Sequence, residues 1–225
     1  MLTPDEILGA IESESAAAAA TITLIPLDAR VASCPDWSFA ELIWHLARVQ
    51  RFWATTVRAG GADPVEPARA AVPSDAGELE TFFRESTRQL VDALHETSWE
   101  APAWTWWKDE RTVGAIARHQ VQEAAVHRWD AQSALRSPDP LAPAVAEDGV
   151  DEFLWIARQL RGLEPIAFHA TDAGSTFAAG PGDPIATVSA PASDLVLLLY
   201  GRLTVDDVEV TGDRAALDAY LVPIS

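Results

Sequence analysis

Three prolines within seven residues, in Ser137-Pro138-Asp139-Pro140-Leu141-Ala142-Pro143, divide this chain into two segments of different texture. Proline fixes φ and removes a backbone donor, so neither a helix nor a central strand runs through such a stretch. Before it, long stretches carry apolar residues at helical spacing; after it, short alternating stretches mix with helical ones. The expected fold class is α+β, with a helical domain over 1–136, a Pro-rich linker over 137–143 and a small α/β domain over 144–225.

The first helix is expected from Pro4 to about Thr21, with proline in its first turn. A second starts at Ser38, where Ser38 and Glu41 have capping-box spacing, and runs through Leu42, Ile43, Leu46, Val49, Phe52 and Trp53 to Gly60-Gly61. A third begins near Ser74 or Asp75, with Glu78 placed to cap, and reaches about His95; a fourth covers about Thr112 to Leu135. Pro64, Pro67, Pro73 and Pro102 fall between them, as loops require. Four such helices predict an antiparallel four-helix bundle. Beyond the linker, Asp148 to Arg161 reads as helix, and Pro165 to Ala170 and Ile185 to Ala190 as strands. Ala192 to Leu203 reads as an apolar helix, Val208 to Val210 as a short strand and Asp213 to Leu221 as an amphipathic helix.

Charge narrows the partners. The 225 residues include 34 acidic and 16 basic side chains, for a formal net charge of -18. Nucleic acid and anionic membranes both reward clustered Lys and Arg, so neither is expected as a partner. The longest apolar stretches, such as Leu195 to Tyr200, are too short to span a bilayer. Met1-Leu2-Thr3-Pro4-Asp5-Glu6 lacks the positive start of a signal peptide. The expectation is a bacterial cytoplasmic protein, monomer or homodimer, that handles small molecules. The one cysteine, Cys34, fits a reducing compartment; no base stands beside it in sequence, so it reads as a packing residue.

Chemistry is expected on the fourth helix. Glu123 and His127 are four residues apart in a stretch without proline or glycine, so they share one helix face, about 6 Å apart along the axis. A carboxylate and an imidazole so placed can chelate a divalent metal, but two donors leave the site incomplete. His45 lies in the apolar stripe of Leu42, Leu46 and Val49 and is expected to point into the bundle, where a neutral, metal-bound imidazole is cheaper than a charged one. Two imidazoles and a carboxylate with one position open is how catalytic zinc or non-haem iron is held. His119 precedes Glu123 by four residues and could be a fourth ligand or a hydrogen-bond partner behind the ligands; it is expected outside the ligand set, because a catalytic metal keeps one position open. Trp99, Trp104, Trp106 and Trp107 cluster before the fourth helix and read as packing, or else as an aromatic rim over the metal. Arg118 and Arg128 flank the ligands and could meet an anionic substrate, or face solvent.

Longer stretches carry a resemblance. The run Cys34-Pro35-Asp36-Trp37-Ser38-Phe39-Ala40-Glu41-Leu42-Ile43-Trp44-His45-Leu46 and the run Glu123-Ala124-Ala125-Val126-His127-Arg128-Trp129-Asp130-Ala131 resemble the mycothiol-dependent maleylpyruvate isomerase family. So do Asp194-Leu195-Val196-Leu197-Leu198-Leu199-Tyr200-Gly201-Arg202-Leu203 and Val210-Thr211-Gly212-Asp213. The resemblance implies a DinB-like metal-binding four-helix bundle followed by a small sterol-carrier-like α/β domain. It implies zinc held by His45, Glu123 and His127, and a catalytic arginine of the second domain, matched by Arg202. It also implies mycothiol as the thiol. Zinc stabilises a thiolate, which adds to a double bond, allows rotation and leaves, or is passed on by an S-transferase. Two other readings remain open on the residues: metal-assisted hydrolysis without a thiol, and a non-catalytic, metal-stabilised protein that binds a small ligand.

Overall fold

The computed structural model describes residues 1–64, 71–160 and 162–222, so Pro67 and Arg161 lie outside the described residues. The chain forms two compact units, Thr3–Asp139 and Pro140–Ser225, the latter with Met1–Leu2.

The first unit contains α1 (Pro4–Ala19), β1 (Arg30–Val31), β2 (Cys34–Ser38), α2 (Phe39–Ala59), α3 (Ala76–Glu96) and α4 (Val113–Ser133). Helix starts follow the capping residues. Thr3 with Glu6, and Ser38 with Glu41, close full capping boxes on α1 and α2. Asp75 caps α3 by accepting from the Glu78 backbone N–H, and Thr112 caps α4. The tightest packing is α2 on α3 and α1 on α4, with α1 on α3 and α2 on α4 completing a four-helix bundle. In that order α1 and α2 face each other across the bundle, and the connection between them is long enough to cross it. One core cluster, including Ala18, Ile22, Val31, Phe39, Leu42, Ile43, Leu46, Leu79 and Phe83, fills the bundle near this crossing.

The crossing holds two strands that the sequence pattern does not announce. β1 and β2 pair antiparallel, with a register shift between Arg30 and Val31. Two residues facing five across an irregular pair leave no alternation to read.

The second unit contains α5 (Pro143–Leu160), β3 (Ile166–Ala170), β4 (Thr176–Ala178), β5 (Ala186–Ala190), α6 (Ala192–Leu199), β6 (Glu209–Gly212) and α7 (Arg214–Tyr220). Its sheet has the order β4-β3-β5-β6, with β3 and β5 parallel and the outer pairs antiparallel. α5 packs on α6, which rests on β3 and β5, while α7 packs on β5 and brings Tyr220 to 6.2 Å from Phe168, centroid to centroid. Two helix boundaries differ from expectation. α5 starts at Pro143 rather than Asp148, since the last proline of the run occupies the first helical turn, where its missing N–H costs nothing. α6 stops at Leu199 rather than Leu203. Gly201 turns left-handed at φ 73°, its N–H bonds to Leu198 O, and the Arg202 N–H bonds to Leu197 O, a Schellman motif that closes the helix. Among the described residues, no helix is long and apolar enough to cross a membrane.

Candidate metal centre

α4 is buried nearly all round. Fourteen of its residues are buried, and six of them are polar or charged: His119, Gln120, Gln122, His127, Arg128 and Asp130. Buried polar groups need partners, so such a helix carries either internal ion pairs or a site. It carries both. Arg128, 3% exposed, pairs through Nε with Glu14 Oε2 of α1 at 2.7 Å, and its Nη1 donates to Gln132 and to the Asp139 carbonyl. It is therefore a clamp between α1 and α4, not a substrate-facing or solvated arginine.

The other polar face of α4 meets α2. His45, Glu123 and His127 each bring a donor atom to within 4.8 Å of the other two. Glu123 Oε2 lies 3.5 Å from His127 Nε2, and the imidazoles of His45 and His127 meet edge to face at 5.2 Å between centroids. Trp37, delivered by β2, lies 4.5 Å from the His45 ring and 6.2 Å from the His127 ring, centroid to centroid. The short strand thus places an indole against both imidazoles.

β2 also brings Cys34, which is half-buried beside the site. Its thiol donates to Asp130 Oδ2 at 3.7 Å, and the same Oδ2 lies 2.9 Å from His127 Nδ1. Cys34 is thus not a remote packing residue. Cys34, His127 and Asp130 form a second group of potential metal donors that shares His127 with the first. Neither Asp130 nor this group stood out in the sequence; the signal available was the carboxylate three residues after His127 on one helix.

His119 stands outside the group of His45, Glu123 and His127. Its Nε2 is 3.7 Å from Glu123 Oε1, beyond hydrogen-bond range, and its ring meets Trp107, Trp106 and Trp53 at 5.3, 5.8 and 6.4 Å between centroids. Trp107 is 1% exposed and Trp106 is 45% exposed, so the tryptophan cluster is packing at one end and surface at the other. Arg202, in the second unit, follows the end of α6, and its Nη1 donates to the Tyr200 carbonyl at 2.7 Å, where the C-terminal dipole favours a cation.

Residues 8–132 match the family model of the mycothiol maleylpyruvate isomerase N-terminal domain. The chain belongs to the mycothiol-dependent maleylpyruvate isomerase family. Residues 144–219 match the family's C-terminal domain. Two solved structures share the fold. One is a mycothiol-dependent maleylpyruvate isomerase, with TM-score 0.74, 15% identity, and coverage of 99% of this chain and 96% of that one. The other is a histidine-to-alanine mutant of a mycothiol-dependent maleylpyruvate isomerase, with TM-score 0.73, 16% identity and the same coverage. A comparison with curated proteins finds no match. The family is one of enzymes, and this chain is a member of it.

The donor set in this isomerase-family member fits a divalent ion. Tetrahedral zinc with bonds of about 2.1 Å sets its ligand atoms roughly 3.4 Å apart, close to the Glu123–His127 separation. A carboxylate oxygen facing an imidazole nitrogen at 3.5 Å is too far for a good hydrogen bond, but suits two donors on one cation.

His45 is prepared for the same role. Burial first, then the neighbouring His127, pulls its pKa down from 6.5 to about 4, against an opposing pull from Glu123. The imidazole stays neutral, with a lone pair to give. In metal-free protein this sets a pH dependence. Below pH 6.5 the unfolded chain takes up a proton that the folded chain refuses until about pH 4. Stability supplied by neutral His45 is therefore lost as pH falls through that window, by on the order of 3 kcal/mol. Urea unfolding of chelator-treated protein at pH 7 and pH 4 should show His45→Gln losing less stability than the parent. An equal loss would remove the assignment.

Proposed function

We propose that this member of the family is a zinc-dependent enzyme that uses a low-molecular-weight thiol, mycothiol, for cis–trans isomerisation of a maleylpyruvate-like substrate or for S-transfer. The reading rests on one observation above the others: His45, Glu123 and His127 converge from two helices on one point. Three protein donors leave one position of a tetrahedral ion for a thiol or water. Bound zinc supplies a stabilised thiolate from a thiol whose free pKa is about 8.5.

The chain's own residues do the rest. His45, kept neutral by its burial, and His127 present ring nitrogens, and Glu123 contributes a carboxylate oxygen. Trp37 packs beside the two imidazoles and helps to hold their rings in place. Gln120 lies on the same helix face, three residues before Glu123. It is 1% exposed, and neither of its amide atoms has a hydrogen-bond partner among the described residues. Such a group costs about 1–3 kcal/mol unless a ligand pairs with it, which suits a polar substrate or thiol contact. Arg202 enters on the sequence resemblance, as the cation for a substrate carboxylate. A reducing cytoplasm would supply the thiol.

The test is turnover of maleylpyruvate by purified protein, with mycothiol and zinc each present or withheld. Activity should need both, falling at least about 100-fold after chelation and returning with zinc. Turnover that persists without any thiol would point to metal-bound water instead.

A further inference from the structure

We propose that Asp130 is the positioning residue of the metal centre: it holds the proton of His127 on Nδ1, so that Nε2 is the nitrogen offered to the metal. The proposal rests on the metal-centre reading above and adds to it a residue that sets how the centre is built.

Asp130 is fully buried, at 0% exposure, near the end of α4. Glu123, His127 and Asp130 follow at spacings of four and three, one stripe along the helix. The His127 imidazole has two edges. Nδ1 lies 2.9 Å from Asp130 Oδ2, a good hydrogen-bond distance, and Nε2 lies 3.5 Å from Glu123 Oε2, which is not. An ionised carboxylate only accepts, and a neutral imidazole has one N–H. The proton therefore belongs on Nδ1. The opposite tautomer would set a lone pair against the Asp130 carboxylate at 2.9 Å and spend the N–H on the longer contact. The tautomer so fixed leaves the Nε2 lone pair facing Glu123 and His45, where a cation would sit.

Cys34 also approaches the same oxygen, its thiol donating at 3.7 Å, a weaker contact than the 2.9 Å one to His127. An imidazole N–H whose far nitrogen meets a cation offsets part of the cost of burying the carboxylate. The hydrogen bond also fixes the ring's rotation. Partners of this kind are worth about 10–100-fold in metal affinity.

Two measurements decide the matter. In metal-free protein labelled with 15N-histidine, with His127 assigned by comparison with H127Q, the wild type should show a protonated Nδ1 and a bare Nε2. An amide at position 130 can turn its NH2 toward Nδ1 and drive the proton to Nε2. Asp130→Asn should therefore move the His127 signals toward the Nε2–H pattern. It should also weaken zinc binding about 10–100-fold in competition with a chromogenic chelator. A wild-type His127 protonated on Nε2 overturns the proposal whether or not the protein binds zinc, and needs no folded variant. Unchanged zinc affinity in a folded Asp130→Asn overturns it too. Cys34→Ser should leave zinc affinity within about twofold, since the thiol only leans on Asp130. If it weakens zinc as much as Asp130→Asn does, the ion sits among Cys34, His127 and Asp130, and Asp130 is a ligand rather than a positioning residue.

Discussion

Replacing His127 with alanine should take bound divalent metal from about one ion per chain to nearly none, and thiol-dependent turnover down by about 1,000-fold or more. His127 belongs to both donor groups, so among the described residues no other trio recovers the site when it is lost. His45→Ala and Glu123→Gln should show the same pairing of lost metal and lost turnover, because two remaining donors hold an ion poorly. Arg202→Ala should behave differently. Its residue supplies no ligand, so metal content should hold while turnover drops, and the drop should be partly repaired in Arg202→Lys if charge is what matters. Elemental analysis of the purified variants, beside the isomerase assay, reads both quantities. Full metal content in both His45→Ala and His127→Ala would sink the centre.

The convergence of the three candidate donors was legible where its signal is local. Glu123 and His127 are one helical turn apart, and His45 sits in an apolar stripe that had to face inward, so the convergence of all three is a matter of helix geometry. What surrounds them was not legible, because it comes from afar. Cys34 and Trp37 reach the imidazoles through an irregular strand pair with no readable alternation. Asp130 looks like any helix-end carboxylate until its burial is known. The bundle's helices could be placed from capping boxes and spacing, but not the order in which they pack, since a long connection permits neighbours or a crossing. The end of α6 was missed because leucine-rich sequence continues to Leu203, while Gly201 quietly breaks the run. Arg128 was misread for a plain reason: its partner, Glu14, is 114 residues away.

That pair carries the largest expected effect on stability. Glu14 is 8% exposed and Arg128 3%, and the bridge joins α1 to α4, two helices in close contact. Arg128→Met keeps the length and apolar stem of the side chain but leaves the Glu14 carboxylate buried without its cation. The expected loss is about 3–5 kcal/mol, seen as a fall of roughly 10 °C in the unfolding midpoint. The cost is that of an abandoned charge more than of a lost attraction. The double variant Glu14→Leu with Arg128→Met should therefore recover most of it, since a buried ion pair and a well-packed apolar pair are often close in energy. Thermal unfolding of the parent, both singles and the double closes the cycle. Additive losses in the double would mean that the two side chains act independently, and that α1 and α4 are held by their apolar contacts alone.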